Sequence, residues 1–213
     1  MSDALKNLKD DHKDFTGEGF VNPPTLPFEL FSSWFDAAVA NSELEANALC
    51  LSTVGDNGIP SSRMVYLKEI KDNTFIFFTN YNSQKGRDLE KNPVASILFF
   101  WPKSHRQVRI TGIVSKISKK ESDAYFASRP RDSQLGAWAS FQSEILDNRS
   151  DLISRFEEYS VKYPEQVPRP PHWGGYALSP IEFEFWQGQQ SRLHDRLIYV
   201  KYDHSWKLKR KNP

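Results

Sequence analysis

The chain has 213 residues and sets 28 Lys and Arg against 27 Asp and Glu, a formal charge of +1. That balance gives no global electrostatic argument for a nucleic-acid or anionic-membrane partner and leaves only local cationic clusters to consider. At 38% hydrophobic and 14% aromatic the chain is too rich in aromatics to be disordered throughout, and it is long enough for one domain with a sizeable core or at most two small ones.

The N-terminus, MSDALKNLKDDHKDF, is charged and lacks the apolar core of a secretory signal. Residues 1–24, ending in the breaker cluster TGEGFVNPP, read as an N-terminal arm, and residues 25–213 as the main domain. Pro27 suits a helix start, and Phe28, Phe31, Phe35 and Ala38 follow at helical spacing. Strand-like runs come next. ALCLSTV leads through the turn GDNG into PSSRMVYLKEI, and KDN turns into TFIFFTN. SQKGRDLEKN reads as a short polar helix before Pro93, then VASILFFW and RQVRITGIVSKIS as strands. Residues 118–163 read as three helices. A proline-rich linker, PEQVPRPPHWGG, precedes the strands YALS, IEFEFWQG, RLHDRLIYVKYD and WKLKR. Strands first, helices inserted and strands last imply a mainly β fold, an antiparallel barrel with helical insertions. No GxGxxG or GxxxxGK[ST] motif argues for a dinucleotide or P-loop fold. The longest apolar run, SILFFW, is too short to span a bilayer, so a soluble cytoplasmic protein is expected, with no membrane partner.

Four clusters could carry chemistry. In SSRMVYLK, Arg63 and Lys68 are five apart, which puts them on opposite faces of a regular strand. In FFTNYNSQKGRDL, a strand ends at Thr79 and Asn80 and a helix begins with Ser83, Gln84 and Lys85 in its first turn. Free N–H groups there, with Lys85, form either a phosphate site or an ordinary cap on Asn82 or Ser83. In YFASRPRDSQLGAWASFQS, Tyr125, Arg129 and Ser133 are spaced by four, with Pro130 interrupting the helix. Their phenol, guanidinium and hydroxyl suit a phosphate clamp, or else cap a helix–turn–helix. In FEFWQGQQSRLHDR, Arg192, His194 and Arg196 stand on one face if the run is a strand, with Asp195 opposite. The five histidines show no metal-ligand spacing, the single Cys50 cannot form an internal disulfide, and no G-x-S-x-G elbow occurs, so no metal is expected. Single-stranded nucleic-acid binding is the leading non-enzyme alternative, disfavoured by the neutral charge.

Taken together, RMVYLK, FFTNYNSQK, RQVRITG, SRPRDSQLGAWASFQS, HWGGY and EFWQGQQSRLHDR resemble, in order, the pyridoxine/pyridoxamine 5′-phosphate oxidase family, over nearly all the chain from Asn47 onward. The resemblance implies an FMN-binding split barrel, working as a homodimer with flavin at the subunit interface. It implies oxidation of pyridoxamine 5′-phosphate and pyridoxine 5′-phosphate to pyridoxal 5′-phosphate, with O2 reduced to H2O2. By the family pattern, Arg63, Met64, Val65, Tyr66, Leu67, Lys68, Phe78, Thr79, Lys85, Gln107, Gln142, Ser143, Trp186 and Arg196 line FMN. Lys68, Tyr125, Arg129 and Ser133 hold the substrate phosphate, and Arg192 and His194 lie over the substrate ring as catalytic residues. Three positions depart from the pattern. Gln84 replaces an Arg at the expected FMN phosphate site, where Arg87 is a candidate substitute. Phe78 replaces a Tyr, and Lys13 and Phe15 stand where an Arg and a Tyr cover the substrate in several members. The alternative from another class is a split-barrel flavin protein without oxidase activity, which has no need of the Tyr125, Arg129, Ser133, Arg192 and His194 set.

Overall fold

The computed structural model describes Phe15 and residues 17–213. Lys13 therefore lies outside the described residues. Nine strands and five α-helices occur among the described residues. The strands are β1 (Ala48–Val54), β2 (Pro60–Tyr66), β3 (Glu69–Lys71), β4 (Thr74–Asn80), β5 (Val94–Trp101), β6 (Arg106–Lys116), β7 (Trp173–Gln187), β8 (Asp195–Tyr202) and β9 (Ser205–Lys211). The helices are α1 (Pro27–Ala40), α2 (Gln84–Lys91), α3 (Lys119–Ala127), α4 (Arg131–Ala139) and α5 (Arg149–Lys162). The sheet order is β2-β1-β5-β6-β7-β4-β3, with β8 pairing to β7 and β9 to β8. The hairpins β1–β2, β3–β4 and β8–β9 are antiparallel, as are β4–β7 and β7–β8. This is the mainly β, antiparallel architecture with inserted helices that the order of predicted elements implies. No helix among the described residues is long and apolar enough to cross a membrane.

The chain divides into two compact units. Of the described residues, the first comprises those up to 46 together with 98–110 and 182–213. Its helix α1 begins at Pro27, whose missing N–H is harmless in a first turn. The helix buries Leu30, Phe31, Trp34 and Ala38. The predicted stripe is therefore rotated: Phe31 and Ala38 belong to it, whereas Phe28 and Phe35 are half-buried at its margins. Phe31 packs edge-on against Phe99 at 5.1 Å and Trp34 against Phe185 at 5.4 Å. The buried Glu43 carboxylate accepts from the backbone N–H groups of Lys103 and Ser104 at 3.2 and 2.8 Å, fixing the turn between β5 and β6.

Two sequence expectations are corrected here. Residues 191–203 are not one strand. Gln190–Arg192 form a 3-10 turn, with Ser191 and Arg192 at φ of 55° and 59°, and β8 starts only at Asp195. Strand alternation therefore does not place Arg192, His194 and Arg196 on one face; Arg196 alone of the three lies in the strand. The Asp195 carboxylate accepts from Phe20 N–H at 2.9 Å and pairs with Arg210 at 3.1 Å. Likewise YALS and IEFEFWQG are a single 15-residue strand running through Pro180. Pro180 falls in the gap between the stretch paired to β4 (residues 173–178) and the stretch paired to β8 (residues 182–187), where its missing N–H breaks neither of these ladders.

The second unit comprises residues 47–97 and 111–181. Strand β1 alternates, burying Leu49, Leu51 and Thr53. A separate helical core gathers Phe126, Leu135, Val167 and Trp173. The α3 start is a full capping box between Ser118 and Glu121. At the far end of α5, Arg131 donates to the carbonyls of Ser160, Tyr163 and Glu165, satisfying acceptors that the last helical turn leaves open.

Candidate functional site

A cavity of about 1030 Å³ opens in the second unit. It is wider than most single-ligand pockets, which run to roughly 1,000 Å³. Five pieces of chain build it, one of them the start of β7 with Trp173. Strand β2 and the irregular step after it supply Ser61 to Tyr66 and Lys68; the end of β4 supplies Phe78, Thr79 and Asn80; the start of α2 supplies Gln84 and Lys85; and the α3–α4 region with the chain after it supplies Tyr125, Arg129, Ser133, Gln142 and Ser143. Arg63 and Lys68 share the cavity although they are five apart, because the strand ends at Tyr66 and the chain at 67–68 is irregular.

Lys85 is the most constrained cation. Ser83 caps α2, its hydroxyl accepting from Gly86 N–H. A Cβ on Gly86 would stand 2.0 Å from the Tyr81 carbonyl oxygen, so only glycine lets this first turn close against the preceding chain. The turn buries Lys85, whose ammonium donates to Gln142 Oε1 (3.0 Å), Ser83 Oγ (3.1 Å) and Thr79 Oγ1 (3.2 Å). All three partners are neutral. Burial, and then the nearby Arg63, push its pKa down to about 8.

Arg63 is held by neutral groups too, donating to Thr53 Oγ1 at 2.7 Å and Ser61 Oγ at 2.5 Å. Those hydroxyls in turn donate to the buried Asp88 carboxylate at 2.7 and 3.4 Å. Burial lowers the Arg63 pKa, with Asp88 opposing. Across the helical part, Arg129 lies 4.5 Å over the Trp173 ring, and its Nη1 is buried with no hydrogen-bond partner. A buried unpaired guanidinium nitrogen is costly, on the order of 1–3 kcal/mol. Phe78 stacks on Tyr125 at 3.8 Å and on Trp173 at 5.5 Å, so without a hydroxyl its ring still fixes the wall beside Arg129.

Of the predicted site residues, Arg63, Met64, Val65, Tyr66, Lys68, Phe78, Thr79, Lys85, Tyr125, Arg129, Ser133, Gln142 and Ser143 line this cavity. Leu67 does not: its side chain is buried, and its backbone takes hydrogen bonds from and to Asn47. Arg87, the candidate substitute for the missing arginine, lies outside the lining, and its guanidinium donates to the Asn82 carbonyl. Trp173, Asn80, Ser140 and the pair Ser61 and Ser62 line the cavity and escaped the motif reading; the HWGGY and FFTN motifs held the signal for the first two.

Gln107, Trp186, Arg192, His194 and Arg196 belong to the first unit. There the His194 ring lies 4.6 Å from Trp186 and 5.7 Å from Phe15, which also touches His105 at 4.6 Å. Arg192 is exposed beside it. Arg196 pairs with the buried Glu184 at 2.7 Å and donates to Asn212 O at 2.9 Å; Glu184 also holds Arg109 and Lys211. No group of His, Cys, Asp and Glu able to hold a metal occurs among the described residues.

Residues 35–163 match the family described as pyridoxamine 5′-phosphate oxidase, and residues 173–213 a pyridoxine 5′-phosphate oxidase C-terminal dimerisation region. A pyridoxine/pyridoxamine 5′-phosphate oxidase of Nostoc punctiforme is 50% identical over 98% of this chain and 99% of its own. One from Bordetella pertussis is 56% identical over 81% and 82%. Among solved structures, PhzG from Burkholderia lata, in complex with tetrahydrophenazine-1-carboxylic acid, superposes with a TM-score of 0.85 at 33% identity, covering 90% of this chain and 95% of its own. An FMN-binding protein of Nostoc punctiforme related to pyridoxamine 5′-phosphate oxidase, 19% identical, shares the fold with a TM-score of 0.72 over 90% and 100%.

The buried ammonium yields a stability test. Its folded pKa lies below the unfolded value of about 10.4, so the unfolded state binds more protons between pH 8 and that value. The ligand-free protein is therefore expected to gain stability as pH rises through this window. Lys85→Met should stabilise the ligand-free protein at pH 7 by about 1–2 kcal/mol, discounted for screening at the cavity mouth, and remove this component of the pH dependence. Urea unfolding of both proteins at pH 7 and 9.5 measures it.

Proposed function

The chain belongs to the pyridoxamine 5′-phosphate oxidase family, and on that premise we propose that it binds FMN and oxidises the 4′ carbon of pyridoxamine and pyridoxine 5′-phosphates to the aldehyde of pyridoxal 5′-phosphate. Pyridoxamine phosphate, O2 and water give the aldehyde, ammonia and H2O2; pyridoxine phosphate and O2 give the aldehyde and H2O2. The observation that carries the reading is the cavity's surplus of buried cationic donors: Lys85 among neutral partners and Arg129 with an orphan Nη1. Two phosphate esters, one on the cofactor and one on the substrate, match two such centres.

The residues fit FMN. Lys85, Arg63, Thr79 and the N–H groups at the α2 start present donors of the kind that hold a phosphate, and the cavity volume admits a flavin nucleotide with a pyridine beside it. When bound, FMN supplies a two-electron acceptor for hydride. Arg129, Ser133, Tyr125 and Lys68 bind and orient the substrate by its phosphate, remote from the reacting carbon. Arg192 and His194 act on the substrate ring. Such a division makes the phosphate contacts anchors and reserves the ring contacts for the reaction. A homodimer with flavin at the subunit interface accounts for a C-terminal match to a dimerisation region. Residues 1–24 serve as a cover, a reading supported by Phe15 packing on His194 and Trp186.

A second reading, a phosphate-free aromatic substrate, is favoured by the likeness to PhzG. The donor set around Arg129 weighs against it, because Tyr125, Ser133 and Lys68 line the same cavity and a phosphate offers one more acceptor oxygen to such a set than a carboxylate does. The test is to purify the protein, record its visible spectrum and add pyridoxamine 5′-phosphate under air. A flavin spectrum with stoichiometric aldehyde and H2O2 supports the proposal; a flavin-free protein, or one inert to the ester, overturns it.

Two sets of variants probe the roles. With Arg87 engaged elsewhere, Gln84→Arg should tighten FMN roughly ten- to hundredfold by one charge-assisted contact, read by titrating apoprotein. Arg129→Ala should chiefly raise KM, whereas Arg192→Ala should lower kcat as well, with Arg192→Lys only partly restoring it for want of the planar fork. Steady-state and single-turnover kinetics separate the two; wild-type flavin reduction in Arg192→Ala at saturating substrate contradicts the assignment.

A further inference from the structure

One ring nitrogen of His194 is already engaged. The backbone N–H of Gln189 donates to His194 Nδ1 over 3.1 Å. A peptide N–H can only donate, so Nδ1 must offer its lone pair, and the neutral ring then carries its proton on Nε2. The chain is shaped to make this contact. Gly188 N–H is tied to the His105 carbonyl at 2.8 Å, and Leu193 N–H closes onto the Gln190 carbonyl at 3.0 Å. Between them Ser191 and Arg192, two successive non-glycine residues, take left-handed φ values of 55° and 59°. The turn brings the imidazole back over the amide five residues earlier, and the rings of Trp186 and Phe15 flank it.

We propose that His194 is a fixed hydrogen-bond donor, presenting Nε2–H to an electron-rich atom of the substrate ring, and that the peptide N–H of Gln189 is the positioning group that sets this tautomer. The inference rests on the preceding assignment of His194 to the substrate ring. It assigns the residue a direction of hydrogen bonding and denies it the role of base. To accept a proton, the ring would have to surrender the Gln189 contact. The charged environment agrees: burial first, then Arg192, lower the His194 pKa, while Asp195, which shares a cavity with His194, Arg210 and Lys211, is occupied by Arg210 and Phe20 N–H. On this assignment His194 does not take the proton of the substrate amine.

The direct test is the tautomer itself. Flavin-loaded protein with 15N-labelled histidine is examined by long-range 1H–15N NMR at neutral pH, with the His194 signals assigned from their loss in His194→Gln. A pyrrole-type Nε2 with a pyridine-type Nδ1 is expected. An Nδ1-protonated ring, or an imidazolium, overturns the inference. This readout needs no turnover, so it stands apart from the substrate assignment, which fails separately if wild-type protein does not oxidise pyridoxamine 5′-phosphate. Kinetics give the second arm. His194→Gln carries an amide donor near the Nε2 position, whereas His194→Asn carries one near Nδ1. The Gln variant should keep about tenfold more kcat/KM than Asn, the worth of one hydrogen bond, and should retain the acid limb of the pH profile. Equal losses, or an acid limb that vanishes with the imidazole, contradict a donor role.

Discussion

A positive charge buried without a carboxylate beside it is the constraint around which the cavity of the second unit is organised. Lys85 is enclosed by a hydroxyl pair and a carboxamide, Arg63 by hydroxyls, and Arg129 by aromatic rings. The one carboxylate in this network, Asp88, stands behind Thr53 and Ser61 and reaches Arg63 only through their oxygens. Desolvated cations of this kind weaken a ligand-free protein, and an anion entering the cavity relieves them. In the proposed reading the anions are the phosphates of FMN and of the substrate, and the strain stored at Lys85 becomes binding energy.

The fold creates that situation by local devices. A glycine at 86 lets α2 start tightly against Tyr81 and carries Lys85 inward. The break between β2 and β3 turns Arg63 and Lys68 into the same space. Pro130 ends one helix and begins the next, so that Tyr125, Arg129 and Ser133 line one wall although no single helix holds them. In the first unit, the left-handed pair Ser191 and Arg192 does similar work, aiming His194 by a peptide N–H rather than by another side chain. Each device trades regular secondary structure for the aim of a functional side chain.

Much of this was legible in the sequence. The run TFIFFTN is strand β4 residue for residue, Ser83 caps α2, and the 118–163 segment yields three helices, the first opened by the Ser118–Glu121 capping box. The illegible parts depend on partners distant in sequence. Pro180 reads as a strand breaker until the change of partner from β4 to β8 is known. The stretch from Ser191 reads as strand because β-prone residues follow it, and the two positive-φ residues carry no glycine to announce them. The hydrogen bond from Arg87 to the Asn82 carbonyl has no local signal, and the stripe of α1 turned on Leu30 and Trp34 because only tertiary packing chooses among nine apolar side chains.

The central claim is that phosphate recognition by the buried cations commits the substrate to reaction. It is tested most directly by mixing flavin-loaded protein anaerobically with pyridoxamine 5′-phosphate or with unphosphorylated pyridoxamine, and following the loss of flavin absorbance at matched concentrations below saturation. The account predicts prompt bleaching by the ester and bleaching at least a hundredfold slower by the free amine, the loss of about 3 kcal/mol of charge-assisted contact. Equal rates for the two compounds would contradict it.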